Sequence, residues 1–225
     1  MAEKLIISWS GGKDSAITLA EIKKIGDYQI VALLTIITER YGRISMHGVR
    51  QILLERQAQS LRLPVQTIFI SPNASNEEYE SKMRETLTGF KDNGLSSVAF
   101  GDIFLEEVRR YREENLAKLG IRGIFPIWKR DTSQLAREFV HRGFKAVISC
   151  VDSKVLNSSF VGRIIDEQFL AELPSGVDPC GERGEFHSFV FDGPIFNEKV
   201  AFTVGELVKR DSFYFCDLLP EPLDV

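Results

Sequence analysis

The feature that most constrains this chain is a junction near its start. Lys4–Trp9 is a short apolar run rich in isoleucine, Gly11 and Gly12 close it, and from Ser15 to Lys24 the residues Ala16, Leu19, Ala20 and Lys23 recur at helical spacing. An unbroken apolar run bounded by glycine reads as a strand buried on both faces, the kind that parallel sheets use. A strand that passes through a tight turn into a helix reaches its next strand by a crossover, and such crossovers are right-handed.

The rest of the N-terminal half repeats the unit. Ile30–Thr38, Val65–Ile70 and Ser97–Phe100 read as further strands, and Val49–Leu61 and Glu106–Leu119 as helices. Between them, Ser75 and Glu78 form a capping-box signal, S-x-x-E. Tyr79, Met83, Leu87 and Phe90 continue it as one apolar stripe. Strict alternation of strand and helix predicts an α/β, doubly wound parallel sheet covered on both faces. In such sheets ligands sit beyond the carboxyl ends of the strands. Two segments lie at such ends: Ser10–Ser15 and Gly101-Asp102-Ile103.

Past Gly120 the pattern loosens. Ile124–Trp128 reads as a strand, Thr132 as the cap of a helix running to His141, Lys145–Val151 as a strong strand and Phe160–Leu173 as a helix. Gly176–His187 is a loop rich in Gly, Asp and Glu. Phe189–Phe191, Val200–Thr203 and Ser212–Asp217 read as short strands. The expectation is a nucleotide-type domain over 1–125 and a smaller α+β domain over 126–225.

Composition narrows the function classes. The 225 residues are 44% apolar and 27% charged, with a net charge of -4. A core of ordinary size is available. A net acidic chain lacks the broad basic footprint of a nucleic-acid binder. The three cysteines, Cys150, Cys180 and Cys216, form no CxxC pair, which argues against zinc, iron–sulfur and dithiol redox sites. No apolar run approaches the roughly 18 residues that span a bilayer, and the N-terminus does not read as a secretory leader. The expectation is a cytoplasmic protein with no membrane partner. The sequence leaves a homo-oligomer open.

Ser10-Gly11-Gly12-Lys13-Asp14-Ser15 carries the chemistry. Two glycines let the backbone turn tightly and approach a ligand. The first N–H groups of the following helix have no intrahelical partner, and the helix dipole favours an anion there. Ser10 and Ser15 add hydroxyls, and Lys13 adds a cation. Asp14 would repel phosphate unless a divalent cation lay between them, so it points to magnesium. The Walker pattern needs Ser or Thr after the lysine, where Asp14 stands, and no G-x-G-x-x-G is present.

Ser10–Ser15 resembles the signature of the PP-loop, or N-type, ATP pyrophosphatase superfamily. Together with Val31–Thr38, Met46-His47-Gly48-Val49, Gly101-Asp102-Ile103, Pro126-Ile127-Trp128 and Gly181-Glu182-Arg183-Gly184-Glu185-Phe186-His187-Ser188, the chain resembles the diphthine–ammonia ligase family over almost its whole length. The late GExGEFHS-like segment is the specific one. The resemblance implies an adenine nucleotide alpha hydrolase-like fold and an ATP-dependent amide ligase. ATP adenylates a carboxylate, pyrophosphate leaves, and ammonia displaces AMP. In that family the acceptor is a modified histidine of translation elongation factor two. For this chain the resemblance implies either a modified protein histidine of that kind or an unknown carboxylate as acceptor. ATP and Mg2+ are the implied cofactors.

The remaining candidates each have a plainer alternative. His47 contacts the nucleotide or caps the following helix. Gly101 allows close approach to the adenosine or α-phosphate. Asp102 binds magnesium, ribose or the amine, or caps the helix near Glu106. Arg109 and Arg112 share a helix face at i, i+3 and pair with phosphate or a substrate carboxylate, or else with the glutamates around them. Glu182, Glu185 and His187 bind ammonia or act in proton transfer, or form an acidic surface turn. Trp128 is a core or hinge residue. Two other readings stay open: a PP-loop enzyme acting on tRNA or another acceptor, and a non-catalytic adenine nucleotide-binding protein.

Overall fold

The computed structural model describes residues 2–39, 42–44 and 48–222. The N-terminal half runs β1 (Glu3–Ser8), α1 (Lys13–Ile25), β2 (Tyr28–Thr38), β3 (Arg43–Ile44), α2 (Gln51–Leu61), β4 (Val65–Ile70), α3 (Asn76–Asp92), β5 (Leu95–Ala99), α4 (Glu106–Ala117) and β6 (Arg122–Ile124). Its parallel strands lie in the order β4-β2-β1-β5-β6, and the two residues of β3 pair antiparallel with the end of β2. Side chains alternate across a strand. Leu5 and Ile7 therefore pack on one face with α1 and α2, while Ile6 packs on the other with Leu87 of α3 and Leu116 of α4. Both faces of the sheet are covered, as the alternation predicts.

The order reverses between β1 and β5, so the crevice between their carboxyl ends is the sheet's switch point. The turn after β1 and the Gly101-Asp102 turn after β5 flank it.

The C-terminal part runs α5 (Thr132–His141), β7 (Lys145–Asp152), a 3-10 turn at Ser158–Phe160, α6 (Glu167–Glu172), β8 (Phe186–Asp192), β9 (Phe202–Arg210) and β10 (Phe213–Pro220). Its strands form an antiparallel sheet, β8-β7-β10-β9. One apolar cluster joins Leu5, Ala16 and Leu53 to Phe139, Ile148, Phe169 and Phe189, so the second sheet packs against the α1–α2 face of the first.

Several boundaries differ from the sequence reading. The expected strand Ile124–Trp128 stops at Ile124, because Pro126 has no N–H for a ladder and the chain turns instead. Thr132 is the first helical residue, not the cap. The Asp131 carboxylate is the cap, and it accepts from Gln134 N at 2.8 Å. The expected helix Phe160–Leu173 is broken. Gly162 takes φ +79°, and residues 162–165 run along β7, with Ile148 N donating to Arg163 O at 2.8 Å and Ile165 N to Ala146 O at 2.9 Å. The helix restarts at Glu167, capped by Asp166. The S-x-x-E box forms only half. Ser75 accepts from Glu78 N, while the Glu78 carboxylate accepts from Ser71 instead of turning back to Ser75.

Candidate active site

A cavity of about 730 Å³ opens at the switch point, walled by the Ser10–Ser15 turn, Gly101-Asp102, Arg112 of α4 and the Gly181–Ser188 loop. The turn is held from below. The fully buried Gln57 of α2 donates to Gly11 O at 2.9 Å and to Val190 O at 2.6 Å, and its own carbonyl accepts from Trp9 Nε1 at 2.9 Å. Gly11 has φ +76°, and a Cβ there would lie 2.8 Å from both Gln57 Oε1 and Leu54 Cδ2. The residue must be glycine because α2 packs beneath it, whereas the sequence reading gave ligand approach as the reason.

Gly12 is the N-cap of α1 and offers no side chain to the first turn. A helix start left without a side-chain cap is open to an anion. Ser10 Oγ accepts from Gly12 N at 3.3 Å, Ser15 donates its hydroxyl to Gly12 O at 2.9 Å, and the hydroxyl of Ser188 on β8 accepts from Lys13 N at 3.2 Å. The second sheet thus reaches into the phosphate-type turn through Ser188.

Lys13 does not point to solvent. It is 2% exposed, and its ammonium contacts both Asp14 oxygens at 2.7 and 2.9 Å and donates to the carbonyl of Cys180. Burial pulls the Lys13 pKa down most strongly, but the charge and hydrogen bond of Asp14 together with nearby Cys180 and Glu182 outweigh it and hold the amine above its ordinary value, so it is a fixed cation. The Asp14 side chain is 30% exposed. Burial raises its carboxyl above the ordinary range against the pull of Lys13, and the nearby carboxylates of Asp178 and Asp102 add to the rise. A pocket this rich in carboxylate suits a bound cation. Among the described residues no group of three His, Cys, Asp or Glu forms a ready-made metal cage. Magnesium needs only one or two carboxylates when phosphates supply the rest.

Asp102 does not cap α4, whose N-cap is Leu105 and carries no side-chain cap bond. It pairs with Arg112 instead: Nη2 donates to Oδ1 at 3.1 Å, and Nε lies 2.7 Å from Oδ2. The guanidinium stacks on Phe100, 4.5 Å from the ring centroid. A Cβ on Gly101 would lie 2.9 Å from Asp14 C and 3.0 Å from Asp14 O. The closeness that Gly101 permits is therefore between the two turns.

Glu182 ties the late loop to the sheet. Its carboxylate accepts from Ile103 N at 2.7 Å and Phe104 N at 3.4 Å. Burial lifts it to about 7, against the lowering effect of the Ile103 N–H and with a further rise from the Asp14 charge. Glu182 and His187 both line the cavity. Glu185 does not share the face of His187, because β8 begins at Phe186. Its two oxygens accept from Asp178 N at 3.0 Å and Arg183 N at 2.9 Å, which shapes the loop from inside. The expectation that Glu185 meets substrate is corrected on that ground.

Arg109 is corrected likewise. It pairs with Glu113 and its guanidinium lies between Phe125 and Trp128, 4.6 and 4.7 Å from their rings, away from the cavity. Only Arg112 of the two reaches the site. His47 lies outside the described residues. Cys180 is buried, and burial pushes its thiol up to about 12. Sequence reasoning did not single out Gln57, Tyr79, Asp178 or Ser188 as site residues. Asp178 organises the loop by accepting from Cys180 N at 2.9 Å and Glu182 N at 3.3 Å. Its one visible signal was an Asp inside a Gly-rich loop.

Models of two adjoining families match the chain: the diphthamide synthase N-terminal domain over residues 3–123 and the diphthamide synthase C-terminal domain over residues 131–217. The chain belongs to the diphthamide synthase family. It is 27% identical to the diphthine–ammonia ligase of Homo sapiens, over 92% of this chain and 85% of that protein. It is 26% identical to that of Schizosaccharomyces pombe, over 93% of this chain but only 38% of that longer relative. The family and its relatives' names support a ligase that uses ATP. A solved structure described as a predicted subunit of tRNA methyltransferase from Methanocaldococcus jannaschii aligns over 66% of this chain at 20% identity with a TM-score of 0.41, too slight a likeness to bear on function. Among the described residues no helix is long and apolar enough to cross a membrane.

Proposed function

We propose that this chain is an ATP-dependent amide ligase of the diphthine–ammonia ligase kind. The observation that carries the reading is the meeting of three separate segments on one cavity at the switch point: the start of α1 with its glycine N-cap and buried lysine, the Asp102–Arg112 pair, and the Glu182–His187 loop. The first suits the β- and γ-phosphates and leaves the α-phosphate facing the other two. Residues 1–125 then bind the nucleotide, and 126–225 supply most of the acceptor wall.

In the first step a carboxylate oxygen of the acceptor attacks the α-phosphorus, the α–β bridging bond breaks, and pyrophosphate leaves with that electron pair. In the second step ammonia attacks the acyl carbon, loses a proton and expels AMP. Lys13 and the N–H groups at the start of α1 offset the charge that builds on the leaving pyrophosphate. Magnesium, held by Asp14 and phosphate oxygens, would supply further charge neutralisation. Glu182, near 7, is matched to taking the proton from the incoming ammonia.

The test uses translation elongation factor two carrying diphthine, ATP, magnesium and 15N-ammonium. The expected products are AMP, pyrophosphate and a 15N-amide on the acceptor. AMP and pyrophosphate with the acceptor unchanged would keep the ligase reading and reject this acceptor. ADP and phosphate would overturn the mechanism.

A further inference from the structure

The second sheet meets the phosphate turn along one strand. β8 stands at an edge of that sheet, and its outer side lies against Gly11–Lys13. Val190 uses both of its backbone groups there. Its N–H donates to Gly11 O at 2.9 Å, and its carbonyl accepts from Gln57 at 2.6 Å. Two residues earlier on the strand the contact is made by a side chain. Ser188 is 4% exposed and lines the cavity, and its hydroxyl accepts from Lys13 N at 3.2 Å.

A hydroxyl has one hydrogen to give and two lone pairs to accept with. Three hydroxyls surround the start of α1. Ser15 gives its hydrogen to Gly12 O at 2.9 Å. Ser10 lies 3.4 Å from Ser15 Oγ and is left to donate to it. Ser188 is the third. It has accepted once and, among the described residues, meets no acceptor for its own hydrogen. A hydroxyl hydrogen rotates to suit its surroundings, and the side of Ser188 left open is the cavity it lines.

The position gives that hydrogen a use. Lys13 N is the first N–H of α1, at the end of the helix that favours an anion. It is already committed to Ser188. An anion at this helix start therefore receives it through the serine, from Lys13 N–H to Ser188 Oγ and from Ser188 O–H to the anion. Hydrogen bonds in such a chain polarise and strengthen one another. A serine that served only to cap Lys13 N would need no place on the cavity wall.

We infer that Ser188 donates its hydroxyl hydrogen to a β- or γ-phosphate oxygen of the bound triphosphate, so that the C-terminal sheet completes a nucleotide site otherwise built from residues 1–125. The inference rests on the reading of Ser10–Ser15 as the triphosphate site. β8 follows directly on the loop that carries Glu182. A triphosphate held by Ser188 thus also fixes the strand from which that loop hangs.

The experiment is calorimetric titration of the full chain with ATP and, separately, with inorganic pyrophosphate, in the wild type, Ser188→Ala and Ser188→Thr. Ser188→Ala is expected to weaken both ligands alike, by at least about tenfold, the scale of one hydrogen bond to a charged group. Ser188→Thr keeps the hydroxyl and should restore most of the loss. A folded Ser188→Ala that binds ATP as the wild type does overturns the inference, and so does a loss for ATP with none for pyrophosphate. If Ser188→Ala does not fold, Ser188→Cys takes its place, since a thiol still offers Lys13 N a weak acceptor but is a poor donor. The same loss is expected there, and wild-type affinity would overturn the inference equally. A wild-type chain that binds neither ATP nor pyrophosphate would remove the triphosphate reading itself, an outcome distinct from a variant that matches a wild type that binds.

Discussion

Gly101→Ala tests how tightly the two turns of the site are built against each other. The added Cβ would sit 2.9 Å from the Asp14 carbonyl carbon and 3.0 Å from its oxygen, about 0.5 Å inside ordinary contact at 3.4 Å, and both are backbone atoms that cannot rotate away. One turn must move. Forcing a methyl into a packed position costs about 1–3 kcal/mol. A misplacement of roughly 1 Å can cost about a hundredfold in rate, so half of that shift should cost about tenfold. Gly89, exposed on α3 with nothing within 4 Å of its Cβ position, is the control. There the same substitution should stabilise by about 0.5–1 kcal/mol, as alanine does in a helix. Urea unfolding gives the stabilities, and pyrophosphate release gives the rate. Gly101→Ala with wild-type stability and turnover would refute the packing argument. Equal effects at Gly89 and Gly101 would show that glycine flexibility, and not contact, is being measured.

Lys13→Met should lower pyrophosphate release by at least about a hundredfold, because one preorganised charge at a developing anion is worth about 3–4 kcal/mol; near-normal release would remove Lys13 from the mechanism. Glu182 is protonated in the folded chain up to about pH 7 but ionises from about 4.5 when unfolded. The folded state therefore binds the extra proton between those values, and stability from this group falls as pH rises through the window. Glu182→Gln should flatten that part of the stability curve, and the rise of turnover near pH 7 should vanish with it. Glu185→Ala should destabilise the chain, since Asp178 N and Arg183 N lose their acceptor, by about 1–3 kcal/mol for each group left buried and unsatisfied; unchanged stability with lost product formation would return Glu185 to the substrate. Cys150, Cys180 and Cys216 are all buried, with thiols pushed up to about 12, 12 and 11 by burial. A thiol reagent at pH 8 should label none of them until the chain unfolds.

Much of this architecture was legible because local patterns act alone in it. Two-sided burial makes β1 and β2 continuous apolar runs, and the glycine pair marks the turn between strand and helix. What escaped the sequence depends on tertiary partners. Gln57 looks like any polar helical residue until the second sheet puts Val190 O beside its amide. Gly101 reads as a ligand-approach glycine, and only the fold shows Asp14 facing it. Residues 161–166 carry helical-looking apolar spacing, but they add backbone pairing to β7, which outweighs it. β9 is legible in the sequence only at its edge, because most of its residues are exposed and its two faces show no apolar alternation. Among the site residues, Asp14, Asp102 and Glu182 reach the cavity from separate elements, whereas Glu185 and Arg109 carry the expected chemistry and face elsewhere.

The most direct measurement is a crystal structure with ATP and magnesium. The β- and γ-phosphates are expected at the start of α1 against Lys13, a cation on Asp14, and the α-phosphate facing Asp102 and Glu182. A triphosphate bound with its γ-phosphate toward those carboxylates, or a nucleotide bound away from Ser10–Ser15, would contradict the proposed mechanism.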